Sequence, residues 1–514
     1  MRARRISQAF FLFLFCAGFA CAQTNHIETA TELLGEGNLV RAEAEARKAL
    51  QVPSTRPLAL ALLGTIRLQQ GKIDESTKFL RQALALNPKL IGARTTLGTA
   101  YAMDNKPDEA AKCFEDVLKL DPGNLNARFD LAKLEASQGN FQQSLDLAGP
   151  ILSQLLGSDE GLVMLASDYG AIGKKQELQD LVTHWQKLPD PSDQSALDFA
   201  ATLVAHGMKP GAIAVLEEQE TRIASHPQAD AALKLANAFL TLGRFTNAEI
   251  NAELALSHHP DCLACYLTLA QVAERQENTE KALSYLVKAK RLAPEDPEVL
   301  FQFGKVCLER NLLNDALTAL NKAVELKPDN DSYVYVLGSA NVGKGRLYEA
   351  LELFQRLVQK HPQDATLHYA IGVVYYRENK YSEAEESLKQ SLAAQPDQVA
   401  AAYYLALTYD AIGDDDRAVS IFRKVLEAHP QHALSYVKLG GILVRQHQYE
   451  EAQRDLEHAI SLDPSSAEAH YQLALALRRL GKTTESEAHI AESRRLEAEQ
   501  GATRDLRLSL LLPD

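Results

Sequence analysis

The chain has 514 residues and a formal net charge of −14, with 46% hydrophobic and 24% charged residues. This balance is typical of a folded, soluble protein and excludes a largely disordered one. The acidic charge argues against a nucleic-acid-binding protein, which needs a basic face. Aromatic residues make up only 7% of the chain, a composition that favours helices packed through small side chains over an aromatic-rich sheet.

Residues 1–22 have the pattern of an export signal. Three arginines in the first five residues precede an apolar run over residues 9–20, which is too short to span a bilayer comfortably. The small residues up to Ala22 suit a cleavage site. We therefore expect cleavage after Ala22 and a periplasmic or secreted protein. The alternative is a lipid anchor on Cys21, and membrane association is expected only in that case.

Prolines recur at steps of 34 residues over much of the chain. The step joins Pro88 to Pro122, and it also joins a second series, namely Pro260, Pro294, Pro328, Pro362, Pro396, Pro430 and Pro464. We number a 34-residue frame so that these prolines stand at place 32. Place 20 is then Ala in ten of fourteen repeats, and place 15 is Gly or Asn in twelve.

Each of these markers has a physical cause. Place 15 must end a helix in the left-handed conformation, which Gly adopts without strain and Asn with little. Places 8 and 20 need small side chains because two helices cross there and their backbones approach. The proline at place 32 ends the second helix, which it cannot continue. Each repeat is therefore predicted to form a first helix, helix A, then a turn, a second helix, helix B, and another turn.

This repeat resembles the tetratricopeptide repeat. Most of that family's pattern stands in two places, as Leu97, Gly98, Tyr101, Ala110, Phe114 and Pro122, and again as Ile371, Gly372, Tyr375, Ala384, Leu388 and Pro396. Both repeats depart from the pattern at places 4 and 27, where local packing should differ. The resemblance implies an all-α fold, a right-handed α-solenoid superhelix of about fourteen helix-turn-helix repeats.

The repeats leave no room for a separate catalytic domain, so we expect that the chain is not an enzyme. After the signal at 1–22, we expect N-terminal repeats at 23–158 and degenerate repeats forming an irregular joint at 159–228. Regular repeats with a terminal capping helix should fill 229–500, followed by a tail at 501–514. The irregularity is expected between 149 and 192, where three prolines, Pro150, Pro189 and Pro191, lie outside the frame.

Two cysteines stand close together, at Cys262 and Cys265. Cys262 lies at the predicted start of a helix A, where the helix dipole favours a thiolate. An exported protein would also meet an oxidising compartment. Three interpretations stay open: a disulfide within the turn, two small hydrophobic side chains in a helix seam, or a zinc site completed by His258 and His259. We assign no metal site and no cofactor to the chain.

The resemblance also implies a ligand-binding face on helix A, formed by places 2, 5, 9, 12 and 13. In the C-terminal half, these places hold aromatic and arginine side chains, namely Phe301, Tyr335, Tyr369, Tyr376, Arg377, Tyr403, Arg445 and Tyr471. An aromatic stripe with interspersed arginines suits an extended peptide or an amphipathic helix. Place 5 can instead pack against the adjacent helix, and this alternative stays open.

The sequence thus predicts a non-catalytic protein-interaction scaffold of the cell envelope or secreted space. Its partner would be a protein or peptide held in the concave groove, and no nucleic acid is expected. Two alternatives remain, a redox-active or metal-binding protein that uses Cys262 and Cys265, and a self-assembling structural protein. The oligomeric state is left open.

Overall fold

The computed structural model describes residues 25–225 and 228–500. The predicted export signal, the lipid-anchor candidate Cys21 and the tail at 501–514 therefore lie outside the described residues. The chain divides into two compact bodies, residues 1–244 and 245–514, which we call the N-terminal and C-terminal bodies. Within the described ranges, we find no helix with the length and apolar character needed to cross a membrane.

The N-terminal body is built from paired helices joined by short turns. Its helices are α1 (Asn25–Gly35), α2 (Leu39–Ala49), α3 (Arg56–Gln69), α4 (Ile73–Leu86), α5 (Ile91–Met103), α6 (Pro107–Leu120), α7 (Leu125–Ser137), α8 (Phe141–Ala148), α9 (Leu152–Leu155), α10 (Asp159–Ala171), α11 (Lys175–Trp185), α12 (Asp193–Ala205), α13 (Lys209–Ser225) and α14 (Ala229–Thr241). Most helices pack against the preceding and the following helix in the chain.

The C-terminal body continues the same alternation. Its helices are α15 (Phe245–His258), α16 (Leu263–Arg275), α17 (Thr279–Leu292), α18 (Pro297–Glu309), α19 (Leu313–Leu326), α20 (Asp331–Lys344), α21 (Leu347–Lys360), α22 (Ala365–Arg377), α23 (Tyr381–Ala394), α24 (Val399–Ala411), α25 (Asp415–Ala428), α26 (Ala433–Arg445), α27 (Tyr449–Leu462), α28 (Ala467–Arg479) and α29 (Thr483–Gln500). A continuous apolar core runs through the repeats between Val334 and Leu477. The predicted all-α fold of helix-turn-helix repeats is confirmed in the described residues.

Helix A starts where the 34-residue frame places it, because the residue before it caps the helix. The side chains of Asn124, Asn330 and Ser466 each accept a hydrogen bond from the backbone N–H three residues later. Asp296 and Asp364 make the same bond. Such caps satisfy N–H groups that the helix itself leaves unpaired.

The left-handed residue predicted at place 15 is present in all fourteen repeats. Nine of these positions are glycines with φ between 73° and 84°. Three are asparagines, which tolerate this conformation. The remaining two are Glu277 with φ of 59° and His447 with φ of 64°. The turn geometry is therefore constant, whereas its conformational cost differs between repeats.

The small residue at place 8 is required by the crossing of helix A with helix B. A Cβ atom added to Gly98 would lie 2.6 Å from the ring of Phe114. A Cβ atom on Gly440 would lie 2.5 Å from Leu456. Both distances are shorter than a van der Waals contact, so the helices could not approach as closely with a larger residue.

Within the described residues, the regular alternation of helices is interrupted after α8 and after α11. Helix α8 ends at Ala148, and a 3₁₀ turn at Gly149–Ile151 and the short helix α9 follow it. Pro150 lies in that turn and explains the break, since proline lacks the N–H that would continue the helix. Helix α11 has 11 residues and ends at Trp185, ahead of Pro189 and Pro191, and α10 packs directly against α12. Trp185 is fully buried and stacks on Phe199 with ring centroids 4.9 Å apart, which ties α11 to α12.

Candidate functional site

Four tyrosines on two neighbouring A helices of the C-terminal body form an aromatic cluster. Tyr369 and Tyr376 lie on α22, and Tyr403 and Tyr404 lie on α24. The ring centroid of Tyr404 is 5.9 Å from Tyr369, 5.6 Å from Tyr376 and 5.8 Å from Tyr403, each in edge-to-face geometry. Such contacts are favourable for aromatic rings. The aromatic cluster is therefore held together by Tyr404.

The members of the aromatic cluster differ in exposure. Tyr376, Tyr403 and Tyr404 are half-buried, so part of each side chain faces solvent. Tyr369 has 0% exposure. The predicted contact between the Tyr369 ring and a partner is therefore wrong in this structure, because α24 of the following repeat covers that side of α22. Tyr369 instead packs against the Tyr404 ring on the buried side of the cluster.

The sequence pattern did not indicate Tyr404 as a member of the binding surface. It stands at place 6 of its repeat, which is not among the ligand-facing places that the resemblance implies. The available signal was the pair of adjacent aromatic residues, Tyr403 and Tyr404. Neighbouring residues on a helix point about 100° apart, so one of two adjacent tyrosines is expected to reach the preceding helix A.

Tyr376 and Tyr403 present neutral hydroxyl groups. Burial raises the pKa of Tyr376 and of Tyr403 above the ordinary tyrosine value. Tyr403 also lies against His432, with ring centroids 5.3 Å apart, and against Phe422 at 5.9 Å. His432 is the residue that caps α26, so the aromatic surface reaches the start of the next helix A. This surface offers ring edges and hydroxyl groups rather than charge.

Both predicted arginines are already engaged within the protein. Arg377 donates from Nη1 to the backbone oxygen of Val342 at 2.7 Å, in the last turn of α20. Arg445 donates from Nη2 to Asp415 at 2.9 Å and also bonds Asp410. A partner carboxylate would have to compete with these acceptors. The arginines therefore position helices more than they supply free positive charge.

The other predicted residues lie outside the aromatic cluster. Phe301 stacks on Tyr333 with ring centroids 4.5 Å apart. Tyr335 is half-buried, 5.4 Å from the ring of Phe354. Tyr471 is 47% exposed on α28. The predicted stripe is thus not one uniform surface, and the half-buried tyrosines in mutual contact lie on α22 and α24.

The described residues outside the aromatic cluster offer few other candidate functional sites. No group of three or more His, Cys, Asp or Glu side chains is arranged there to bind a metal ion. A cavity of about 480 Å³ is lined mainly by α25, including Asp416, Arg423, Lys424 and Glu427, and it contains no member of the aromatic cluster. The structure joins Cys262 and Cys265 by a disulfide.

Family models described as tetratricopeptide repeat match residues 301–365 and 369–433, and also 101–159 and 58–90. A model described as TPR repeat matches residues 440–481. A model described as anaphase-promoting complex, cyclosome, subunit 3 matches residues 241–323. Together these matches cover more than half of the chain.

Two curated relatives share a short segment with this chain. Protein O-mannosyl-transferase TMTC1 from Homo sapiens is 34% identical over 102 residues, which cover 19% of this chain and 12% of the relative. The protein of the same name from Mus musculus is 36% identical over 93 residues, which cover 17% and 10%. The match therefore spans only about a tenth of the length of these relatives.

Several solved structures are similar in fold. A tetratricopeptide repeat protein from Parabacteroides merdae is 19% identical, with 48% of this chain and 98% of that chain covered and a TM-score of 0.44. The Cut9–Hcn1 structure of the APC/C is 13% identical, with 89% and 96% covered and a TM-score of 0.41. Yeast Tom70 is 15% identical, with 94% and 98% covered and a TM-score of 0.38.

Proposed function

The chain belongs to the tetratricopeptide-repeat family, and from that premise we propose that it is a non-catalytic scaffold that binds a protein or peptide partner over the aromatic cluster. The observation that carries this proposal is the group of three half-buried tyrosines, Tyr376, Tyr403 and Tyr404, which pack on the fully buried Tyr369. Aromatic side chains held rigidly at a surface supply much of the binding energy at protein interfaces.

The chemistry of the aromatic cluster favours an apolar partner segment with backbone polar groups. The tyrosine rings offer apolar contact, and their hydroxyl groups can bond the backbone of an extended peptide or the flank of an amphipathic helix. The pairing of Arg377 and Arg445 within the protein argues against recognition centred on a carboxylate. Nucleic acid is disfavoured by the net charge of −14.

The absence of catalysis is part of the proposal. Three carboxyl groups have their pKa raised by burial to about 6, namely Asp130, Asp168 and Asp455, and they lie on the separate helices α7, α10 and α27. Asp168 accepts a hydrogen bond from Ser144 Oγ at 2.6 Å, but both residues are 0% exposed and closed to a substrate. The mannosyl-transferase relatives share too short a segment to support that activity for this chain.

We further propose that the protein acts outside the cytoplasm, in the periplasm or as a secreted protein. The pattern of residues 1–22 supports export, and a disulfide between Cys262 and Cys265 is compatible with an oxidising compartment. Attachment to a membrane through a lipid on Cys21 is the variant of this proposal. Fractionation of cells, with globomycin treatment to block lipoprotein processing, separates the two.

The binding proposal is tested by partner capture from the envelope fraction with three forms of the full chain. These are the wild type, a Tyr376→Ala/Tyr403→Ala variant and the control Tyr348→Ala, which removes a 67% exposed tyrosine from α21. We expect a partner held by the wild type and the control and lost from the double variant. Circular dichroism checks that all three remain folded. A partner held equally by all three forms would place the binding surface elsewhere.

A further inference from the structure

The disulfide between Cys262 and Cys265 occupies an unusual place for a structural crosslink. Both residues lie within one turn at the start of α16, with Cα atoms 5.3 Å apart. Only two residues separate them, so the bond removes little conformational freedom from the unfolded chain. The helix already holds the two residues near each other. The bond is therefore expected to contribute little to the stability of the fold.

The sulfur of Cys262 stands where other repeats place an oxygen that caps helix A. It accepts a hydrogen bond from the N–H of Cys265 at 3.0 Å, as Asn124 and Ser466 do from the residue three places on. A helix start carries unpaired N–H groups and partial positive charge. A Cys262 thiolate formed on reduction would be stabilised at this cap by those N–H groups, which favours reduction of the disulfide.

The two sulfurs differ in access, as an attacked and a leaving sulfur should. Cys262 is half-buried, whereas Cys265 is 0% exposed. An incoming thiolate can reach Cys262 only. The remaining described cysteines are unlike this pair, since burial raises the pKa of Cys307 to about 12 and also raises that of the half-buried Cys113. These two thiols stay protonated at neutral pH and provide internal controls.

We propose that Cys262 and Cys265 form a thiol–disulfide exchange site that accepts two electrons from a protein dithiol. A substrate thiolate attacks Sγ of Cys262, forming a mixed disulfide and breaking the Cys262–Cys265 bond, whose electron pair goes to Sγ of Cys265. The second substrate thiolate then attacks its own sulfur in the mixed disulfide and releases Cys262 as a thiolate. The substrate dithiol is oxidised to a disulfide, and the cysteine pair is reduced to two thiols.

The first test measures the pKa of the Cys262 thiol in the reduced, folded full chain. The rate of alkylation by iodoacetamide is followed against pH, and each cysteine is resolved by mass spectrometry. We expect an inflection at least one unit below the ordinary cysteine value of about 8.5, which makes Cys262 roughly tenfold more ionised at pH 6 than an ordinary thiol. An inflection at or above about 8.5 would overturn the proposal.

The second test measures electron transfer with a defined dithiol probe, reduced ribonuclease A. We expect the oxidised, native chain to form disulfides in the probe while two thiols appear on the chain for each disulfide formed. The control is Cys262→Ser/Cys265→Ser, in which serine keeps a capping oxygen at position 262. A second control, wild type that has been reduced and then blocked with N-ethylmaleimide, covers the case in which the variant does not fold. If the native pair stays oxidised in the presence of excess probe, the bond is structural and the proposal fails.

Discussion

The turn of the repeat that contains Glu277 should be strengthened by the substitution Glu277→Gly. Glu277 holds φ of 59° at a position where nine other repeats have glycine. Its side chain is exposed, and a Cβ atom at equivalent glycines such as Gly243 would meet nothing within 4 Å. The left-handed conformation is thus the main difference between the two residues at this place.

The size of the effect follows from two opposing terms. A non-glycine residue in the left-handed conformation costs roughly 1–2 kcal/mol. Glycine avoids this cost, but it makes the unfolded chain more flexible, which lowers the free energy of unfolding by about 0.5–1 kcal/mol. We therefore expect Glu277→Gly to stabilise the α16–α17 turn by about 0.5–1 kcal/mol, and the reverse change, Gly243→Ala, to destabilise its own turn by a similar amount.

Native-state hydrogen exchange is the suitable assay, because repeat proteins open locally and need not unfold in one step. Amides at the end of α16 and the start of α17 should exchange roughly 2- to 5-fold more slowly in Glu277→Gly, since about 1.4 kcal/mol corresponds to a tenfold change. Amides in α26 and α27 serve as the unaffected reference. Unchanged or faster exchange in Glu277→Gly, together with no effect of Gly243→Ala, would refute the conformational argument.

Three other outcomes are expected. Gly98→Ala should cost about 1–3 kcal/mol in urea unfolding, because its Cβ atom would lie 2.6 Å from Phe114, and full stability of this variant would contradict the crossing geometry. Tyr369→Ala should cost about 3–5 kcal/mol because the ring is fully buried, and a near-neutral effect would mean that the ring is not core. Burial raises the pKa of Asp168 to about 6 from 3.8, so keeping its carboxylate charged penalises the fold above about pH 6 and the penalty fades as the pH falls towards 4. Asp168→Asn should therefore raise the thermal midpoint of unfolding at pH 8. The increase in the midpoint that the wild type shows as the pH falls from 8 to 5 should be smaller in this variant. An unchanged pH profile would exclude Asp168 as the cause of that increase.

The helix boundaries could be predicted because their signals act locally. Gly345 ends α20 with φ of 80°, and the caps Asn124 and Ser466 begin α7 and α28. Each depends on backbone sterics or on a bond three residues away, so a single repeat contains all the information. Pro150 likewise marked the break after α8 through its own missing N–H.

The binding surface could be predicted only in outline. Tyr369 and Tyr403 share place 5, yet Tyr369 is fully buried and Tyr403 is only partly buried. The difference depends on how the following helix A lies over each ring, and Tyr404 takes that position over Tyr369. The 34-residue frame assigns the same geometry to every repeat, so it cannot predict which rings the following helix A covers. The disulfide between Cys262 and Cys265 could also not be predicted uniquely, since the sequence left three interpretations of the pair open.

Partner binding over the aromatic cluster is tested most directly by site-specific photo-crosslinking in native cells. A photoreactive phenylalanine derivative replaces Tyr376 in one variant and Tyr348, an exposed tyrosine on α21, in a matched control. If the aromatic cluster binds the partner, position 376 should yield a discrete crosslinked protein or peptide, and position 348 should yield none of that species. The same species from both positions, or from position 348 alone, would contradict the claim that the protein binds its partner over the aromatic cluster.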